Sequence, residues 1–187
     1  LVPALKPAVK ASNTGHVAVL ATRATLNGAL LNQVITDIAL PNATKVTKYF
    51  DTQLVPWVEA GMPKDSDTAY ALQEQLHLFA QDDVDQLVLG CTHYPFFKNF
   101  LLQTIETNQL TMEVVDSGDA IAQRVKHILA SHQLLAPPIR KVDIKPTDST
   151  SINKRLNLML YASKPDARLD QTIQRLLGEP IRLQHFL

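Results

Sequence analysis

Cys91 is the only cysteine of the chain, and Thr92 and His93 follow it directly. A thiol, a hydroxyl and an imidazole in consecutive positions can hold a proton and pass it on. A free cysteine is otherwise a small buried hydrophobe, so position decides between the two roles. Gly90 before it permits a tight exit from a strand, and Pro95 after it suits the first turn of a helix. Cys91 is therefore expected beside a helix N-terminus, whose partial positive charge favours a thiolate. A second polar loop, Ala21-Thr22-Arg23-Ala24-Thr25, offers two more hydroxyls. A metal site is not indicated, because one cysteine lacks partners at ligand spacing, and His127 and His132, five apart, are expected to face solvent. A nucleotide loop is not indicated either, since the six glycines form no Gly-x-Gly-x-x-Gly or phosphate-loop pattern.

These residues need a scaffold, and the chain alternates strand-like and helix-like segments. Strands are expected at 17–21, 44–50, 86–89, 112–115, 156–161 and 181–186. Helices are expected at 25–39, stopped by Pro41, at 56–60, closed by Gly61, and at 66–80, where Leu72, Leu76 and Phe79 share a face. Another follows Pro95, carrying Phe96, Phe97, Phe100 and Leu101. Asp116-Ser117-Gly118-Asp119 has the chemistry of a helix cap, and the helix behind it aligns Ile121, Val125 and Ile128 before Pro137-Pro138 breaks it. A polar stretch at 141–154 reads as loop or edge strand, and a further helix spans 168–177. This order predicts an α/β fold with a mainly parallel sheet flanked by helices. In such sheets ligands bind outside the carboxyl ends of the strands, where both polar loops fall.

Composition bounds the rest. With 45% hydrophobic residues the chain can bury a substantial core. Eighteen basic residues balance eighteen acidic ones without a basic cluster, which argues against nucleic acid as the main partner. No run of 18 apolar residues is present to span a membrane. No signal peptide is visible and one cysteine cannot form an internal disulfide, so a reducing cytoplasm is the default expectation.

Leu89-Gly90-Cys91-Thr92-His93-Tyr94-Pro95 resembles the signature around the second catalytic cysteine of glutamate racemases, in the cofactor-independent aspartate/glutamate racemase superfamily. Three further segments agree in order and spacing. Val2-Pro3-Ala4-Leu5-Lys6-Pro7-Ala8 resembles the family's inter-lobe segment, and Ala21-Thr22-Arg23-Ala24-Thr25 its Ala-Thr-x-x-Thr loop. Pro56-Trp57-Val58-Glu59-Ala60-Gly61 resembles its Pro-hydrophobic-Val-Glu-x-Gly element. The resemblance implies racemisation by two thiols on opposite faces of the substrate Cα, with glutamate held between two lobes and no cofactor. Cys91 would be the base on one face, the one that deprotonates L-glutamate. His93 would assist proton movement or orient the thiol, and Glu59 would be a polar residue near the catalytic centre. Thr92, His93, Thr22 and Thr25 would bind the substrate. Asp116-Ser117 is read as a cap, because the family's functional Asp-Ser-Gly precedes its first cysteine.

The family's first-lobe motifs are not found here, and the chain begins in the inter-lobe segment without Met. The expectation is therefore the C-terminal portion of a racemase: 1–16 an inter-lobe segment, 17–110 the second lobe, and 111–187 elements that pack with the first. Apolar faces near Ile121 and Leu158 would then lack partners. Such a portion is expected to be inactive alone. The family further implies a bacterial protein making D-glutamate for peptidoglycan, with a homodimer and a peptidoglycan-precursor activator among its known arrangements. The competing readings are an aspartate or hydantoin racemase relative and a non-enzymatic binding module.

Overall fold

The computed structural model describes residues 4–136, 160–164, 166–178 and 183–185. The chain divides into two compact units, 1–122 and 123–187, with the division inside one helix. The first holds a four-stranded sheet of β1 (His16–Leu20), β2 (Lys45–Tyr49), β3 (Gln86–Leu89) and β4 (Glu113–Val115). Its order is β2-β1-β3-β4 and every pairing is parallel. The expected mainly parallel sheet is thus present. β1 and β3 are buried along their whole length, as central strands covered on both faces should be, whereas the edge strand β2 is partly exposed.

One face is covered by α1 (Leu5–Ala11), whose Leu5, Ala8 and Val9 join Val17, Val19, Ala21 and Val88 in a single apolar cluster. Pro7 is tolerated there because it lies in the first helical turn, where its missing N–H would have no intrahelical acceptor. Leu26, Leu31 and Ala39 complete that cluster. The alternate strand residues Ala18, Leu20, Leu87 and Leu89 are equally buried and point to the opposite face by strand alternation. There α5 (Asp67–Gln81) and α6 (Lys98–Thr107) supply buried Leu72, Leu76, Phe79 and Leu101. Ser66 caps α5 by accepting the Ala69 amide at 3.2 Å.

The single helix expected at 25–39 is instead broken. α2 (Arg23–Asn27) ends and α3 (Ala29–Val34) begins at Gly28, which is extended at φ −66°, ψ 139°. A π-helical turn at Ile35–Ala39 and a 3₁₀ turn at Leu40–Asn42 follow, so Pro41 lies inside the last turn rather than beyond it. Apolar periodicity ran through Gly28 and could not register the break. α4 (Leu54–Glu59) closes near Gly61, whose φ of 91° suits glycine.

The loop at 12–14 is tied to the start of β3 by Asp85. Its carboxylate accepts the Ser12 hydroxyl at 2.7 Å and the amides of Thr14 (3.0 Å) and Asn13. Burial disfavours that charge, but these hydrogen bonds outweigh it and hold the Asp85 carboxyl below the ordinary range.

α7 (Gly118–Ser131) crosses the division, and Ile121, Val125 and Ile128 are exposed along it. Asp116 accepts the Gly118 amide at 2.8 Å and the Lys98 ammonium at 2.6 Å, a helix-start role matching the cap reading. In the second unit, β5 (Leu160–Ala162) and β6 (Leu183–His185) pair in parallel, and α8 (Ala167–Leu177) makes the crossover that a parallel pair requires. Pro137-Pro138, the stretch 141–154 and the strand start at 156–159, with Leu158, lie outside the described residues, as do the margins of the last strand at 181–182 and 186.

Candidate active site

The chain leaves β1 toward β2 on one side, and leaves β3 toward β4 on the other. The carboxyl ends of β1 and β3 therefore flank the point where strand order reverses, the place where open α/β sheets bind ligands. Both polar loops emerge there. Leu20 pairs with Leu89 at the last register position, and the Gly90 amide donates to the Leu20 carbonyl at 2.8 Å. A Cβ on Gly90 would lie 2.9 Å from the Ala21 Cβ and 3.2 Å from the Leu20 oxygen. Glycine is needed here for close approach between loops rather than for a left-handed turn.

Cys91 comes next and is 7% exposed. It opens a tight turn, in which the Tyr94 amide donates to the Cys91 carbonyl at 3.2 Å, and a 3₁₀ turn at Tyr94–Phe97 leads into α6. The α-helix expected right after Pro95 is thus preceded by one tighter turn, with Pro95 in its first positions. Thr92 is exposed and His93 partly so.

The imidazole has a partner from another element. His93 Nε2 lies 3.4 Å from Glu59 Oε1, with side chains 31% and 47% exposed. A contact this open to water adds little stability, and what it can do is orient the ring. What brings Glu59 there is aromatic packing. Trp57 on α4 meets Phe97 at 5.8 Å and Phe100, edge to face, at 5.3 Å between ring centroids. The indole N–H is anchored on the Pro63 carbonyl at 3.0 Å. A rigid aromatic block thus docks α4 against the turn that carries Cys91.

Thr22 is the N-cap of α2, accepting the Thr25 amide at 3.4 Å, and the two hydroxyls lie 3.1 Å apart. The Ala21 amide donates to the Tyr49 carbonyl at 3.1 Å, bringing the end of β2 to the same edge. The sheet thus gathers Cys91, Thr92, His93, Thr22 and Thr25 from two adjacent strand ends, and Glu59 joins through α4. Sequence reasoning passed over Tyr94 and Asp51. Burial, then Cys91, Asp51 and Tyr49, push the Tyr94 hydroxyl far above the ordinary tyrosine range. Tyr49 is raised as well, by burial and then by Asp51. Tyr94 stood in view inside the Cys-Thr-His-Tyr-Pro run; nothing local marked Asp51.

Among the described residues no group of three or more His, Cys, Asp or Glu side chains gathers to hold a metal ion. Nor, among them, is any helix long and apolar enough to cross a membrane.

No protein-family model matches the chain. Comparison with individual proteins finds clear similarity. It is 39% identical over 165 residues to the glutamate racemase of Deinococcus radiodurans, a match covering 88% of this chain and 56% of that protein. It is 30% identical over 188 residues to the glutamate racemase of Ectopseudomonas mendocina, covering 98% of this chain and 62% of that one. The chain is similar to part of these glutamate racemases. The crystal structure of the Escherichia coli glutamate racemase, in complex with L-glutamate and the activator UDP-MurNAc-Ala, superposes with a TM-score of 0.69 at 26% identity. That match covers 99% of this chain and 62% of the enzyme. The chain thus spans between about half and two thirds of the length of the glutamate racemases it matches.

Proposed function

We propose that the chain carries one catalytic half of a glutamate racemase, with Cys91 as one of the two acid–base groups. The observation that carries this reading is the Cys91-Thr92-His93 turn at the strand-order reversal, with Glu59 set against His93. Glutamate as substrate, rather than aspartate or a hydantoin, is supported by the names of the relatives and by L-glutamate in the Escherichia coli enzyme.

The chemistry follows from the carbon acid. The Cα proton of an amino acid is very weakly acidic beside a carboxylate, and inversion requires its removal on one face and return on the other. The Cys91 thiolate takes the proton from L-glutamate, becoming a thiol. A second thiol, outside this chain's sequence, delivers its own proton to the opposite face. In reverse, the Cys91 thiol donates. His93, oriented by Glu59, helps the sulfur exchange its proton between turnovers. Thr92, Thr22 and Thr25 offer hydroxyls and amides to the substrate's carboxylates. D-Glutamate so produced serves peptidoglycan synthesis in the cytoplasm, and a peptidoglycan precursor of the kind bound by the Escherichia coli enzyme is the natural activator. A homodimer is the expected assembly.

The test joins this chain to the part of the Deinococcus radiodurans racemase outside the matched region, and follows glutamate inversion by circular dichroism. The joined protein should racemise glutamate, and Cys91→Ser within it should not. Full turnover in the Cys91→Ser protein overturns the reading.

A further inference from the structure

Arg23 stands between the two threonines of the loop that leaves β1, and an aromatic ring holds its side chain. Its Cζ lies 5.0 Å from the centroid of the Phe50 ring, and Phe50 packs against the apolar cluster that α1 covers. A guanidinium stacked by its face keeps its edge N–H groups free for an anion. The other charges near the carboxyl edge of the sheet are matched or negative. Lys98 is bonded to Asp116 at 2.6 Å, the His93 imidazole faces Glu59, and Asp51 follows Phe50 directly. Lys48 donates to the Leu26 carbonyl at 2.9 Å and to the Asn32 side-chain oxygen at 2.6 Å. Of these cations, only Arg23 has no hydrogen bond or ion pair among the described residues.

We infer that Arg23 draws carboxylates to the strand ends where Cys91 lies, which makes it a specificity-determining residue for an acidic ligand. β1 separates Phe50, at the end of β2, from Cys91, at the end of β3. Two strand spacings, about 10 Å, therefore lie between the cation and the turn. Over that distance in water a unit charge raises the local concentration of a carboxylate about twofold, and salt screens the effect. Asp51 and Glu59, when ionised, would by themselves leave this edge negative and repel a dicarboxylate; Arg23 offsets them. That the carboxylate is glutamate rests on the racemase reading above; the attraction itself does not.

The sole cysteine lets two alkylating reagents read this in the 187-residue chain, without any turnover. Iodoacetate and iodoacetamide have nearly the same size and react with the same thiolate, but only iodoacetate carries a carboxylate. The ratio of their rates at Cys91, followed by mass spectrometry, cancels reagent access and thiolate content and leaves the local potential. At low ionic strength Arg23→Gln should lower the iodoacetate-to-iodoacetamide ratio about twofold, and Arg23→Lys should keep most of it. Added salt should erase the difference between wild type and Arg23→Gln. Lys45→Gln removes an equal charge at the amino end of β2 and should leave the ratio in place. Where neither reagent enters, the midpoint of the thiolate's ultraviolet absorbance decides instead, and it should rise by about 0.3 pH unit in Arg23→Gln. A ratio, or in its place a midpoint, that stays at the wild-type value in Arg23→Gln overturns the inference, as does an equal change in Lys45→Gln. A lowered ratio in a chain whose joined form does not racemise glutamate would leave the attraction standing and sink the proposed function instead.

Discussion

Cys91 and His93 sit two positions apart, and on the proposed reading they do different work. In the joined racemase, Cys91→Ser should reduce inversion at least ~100-fold, because a hydroxyl is a poor base at neutral pH and a positioned acid–base group is worth about 10²–10⁴-fold. Circular dichroism of glutamate measures it, and a loss smaller than about tenfold would make Cys91 structural. His93→Asn keeps a hydrogen-bonding side chain but cannot exchange a proton near neutrality. Turnover should fall, and kcat should fall unequally from L- and D-glutamate. The ratio of the two kcat/KM values is fixed by the equilibrium between enantiomers, so the asymmetry shows only in kcat and KM taken separately. Initial rates in both directions, with thermal unfolding alongside, check it; unchanged kcat both ways returns His93 to a purely structural role.

At the scale of elements, the site depends on how closely two loops pass. Gly90→Ala would push a methyl into Ala21 and the Leu20 carbonyl, at 2.9 and 3.2 Å. The neighbours are backbone and a short side chain, so little can yield. A destabilisation of about 1–3 kcal/mol is expected in urea unfolding, together with a changed Cys91 alkylation rate, because the turn moves with Gly90. Wild-type stability and reactivity would mean the loops are not in contact. At the opposite end of the sheet, Asp85 holds the 12–14 loop and is 7% exposed. Asp85→Asn should cost about 2 kcal/mol at neutral pH, since hydrogen bonds to a charged group are lost. The folded carboxyl is held below its unfolded value, so its stabilisation is present above the unfolded pKa of about 4 and disappears as pH falls through the lower folded one. Unfolding midpoints of wild type and variant should therefore converge in acid. A gap that persists there would assign the loss to packing instead.

For the molecule as a whole, the decisive fact is arithmetic: two-base inversion needs two groups, and the sequence holds one thiol. On the proposed two-thiol reading, the 187-residue chain by itself should show no measurable glutamate racemisation, because it brings one thiol to a reaction that uses two. Turnover comparable to the joined protein, measured at equal concentration, would sink the two-thiol mechanism while leaving the similarity to racemases intact. The relatives' greater length gives this prediction its meaning, since the matched region covers 56% of the Deinococcus radiodurans enzyme.

Much of this was legible in the chain itself. The apolar residues Val17 to Ala21 and Leu87 to Leu89 announced strands, and a strand covered on both faces is largely apolar. The spacing of Leu72, Leu76 and Phe79 announced the buried face of α5, and Gly90 announced the exit from β3. What the sequence left open depends on contacts between distant residues. Gly28 breaks a helix that local periodicity carries straight through. Gly90 is required by Ala21, 69 positions away in the chain, not by its own dihedral angle. Glu59 meets His93 because Trp57 packs on Phe97 and Phe100, and Tyr94 buries a hydroxyl that only folding could separate from water. Residue type and local periodicity are written along the chain and fix which groups are present. Which of them meet is set by the burial of side chains remote in sequence, and that only the tertiary structure decides.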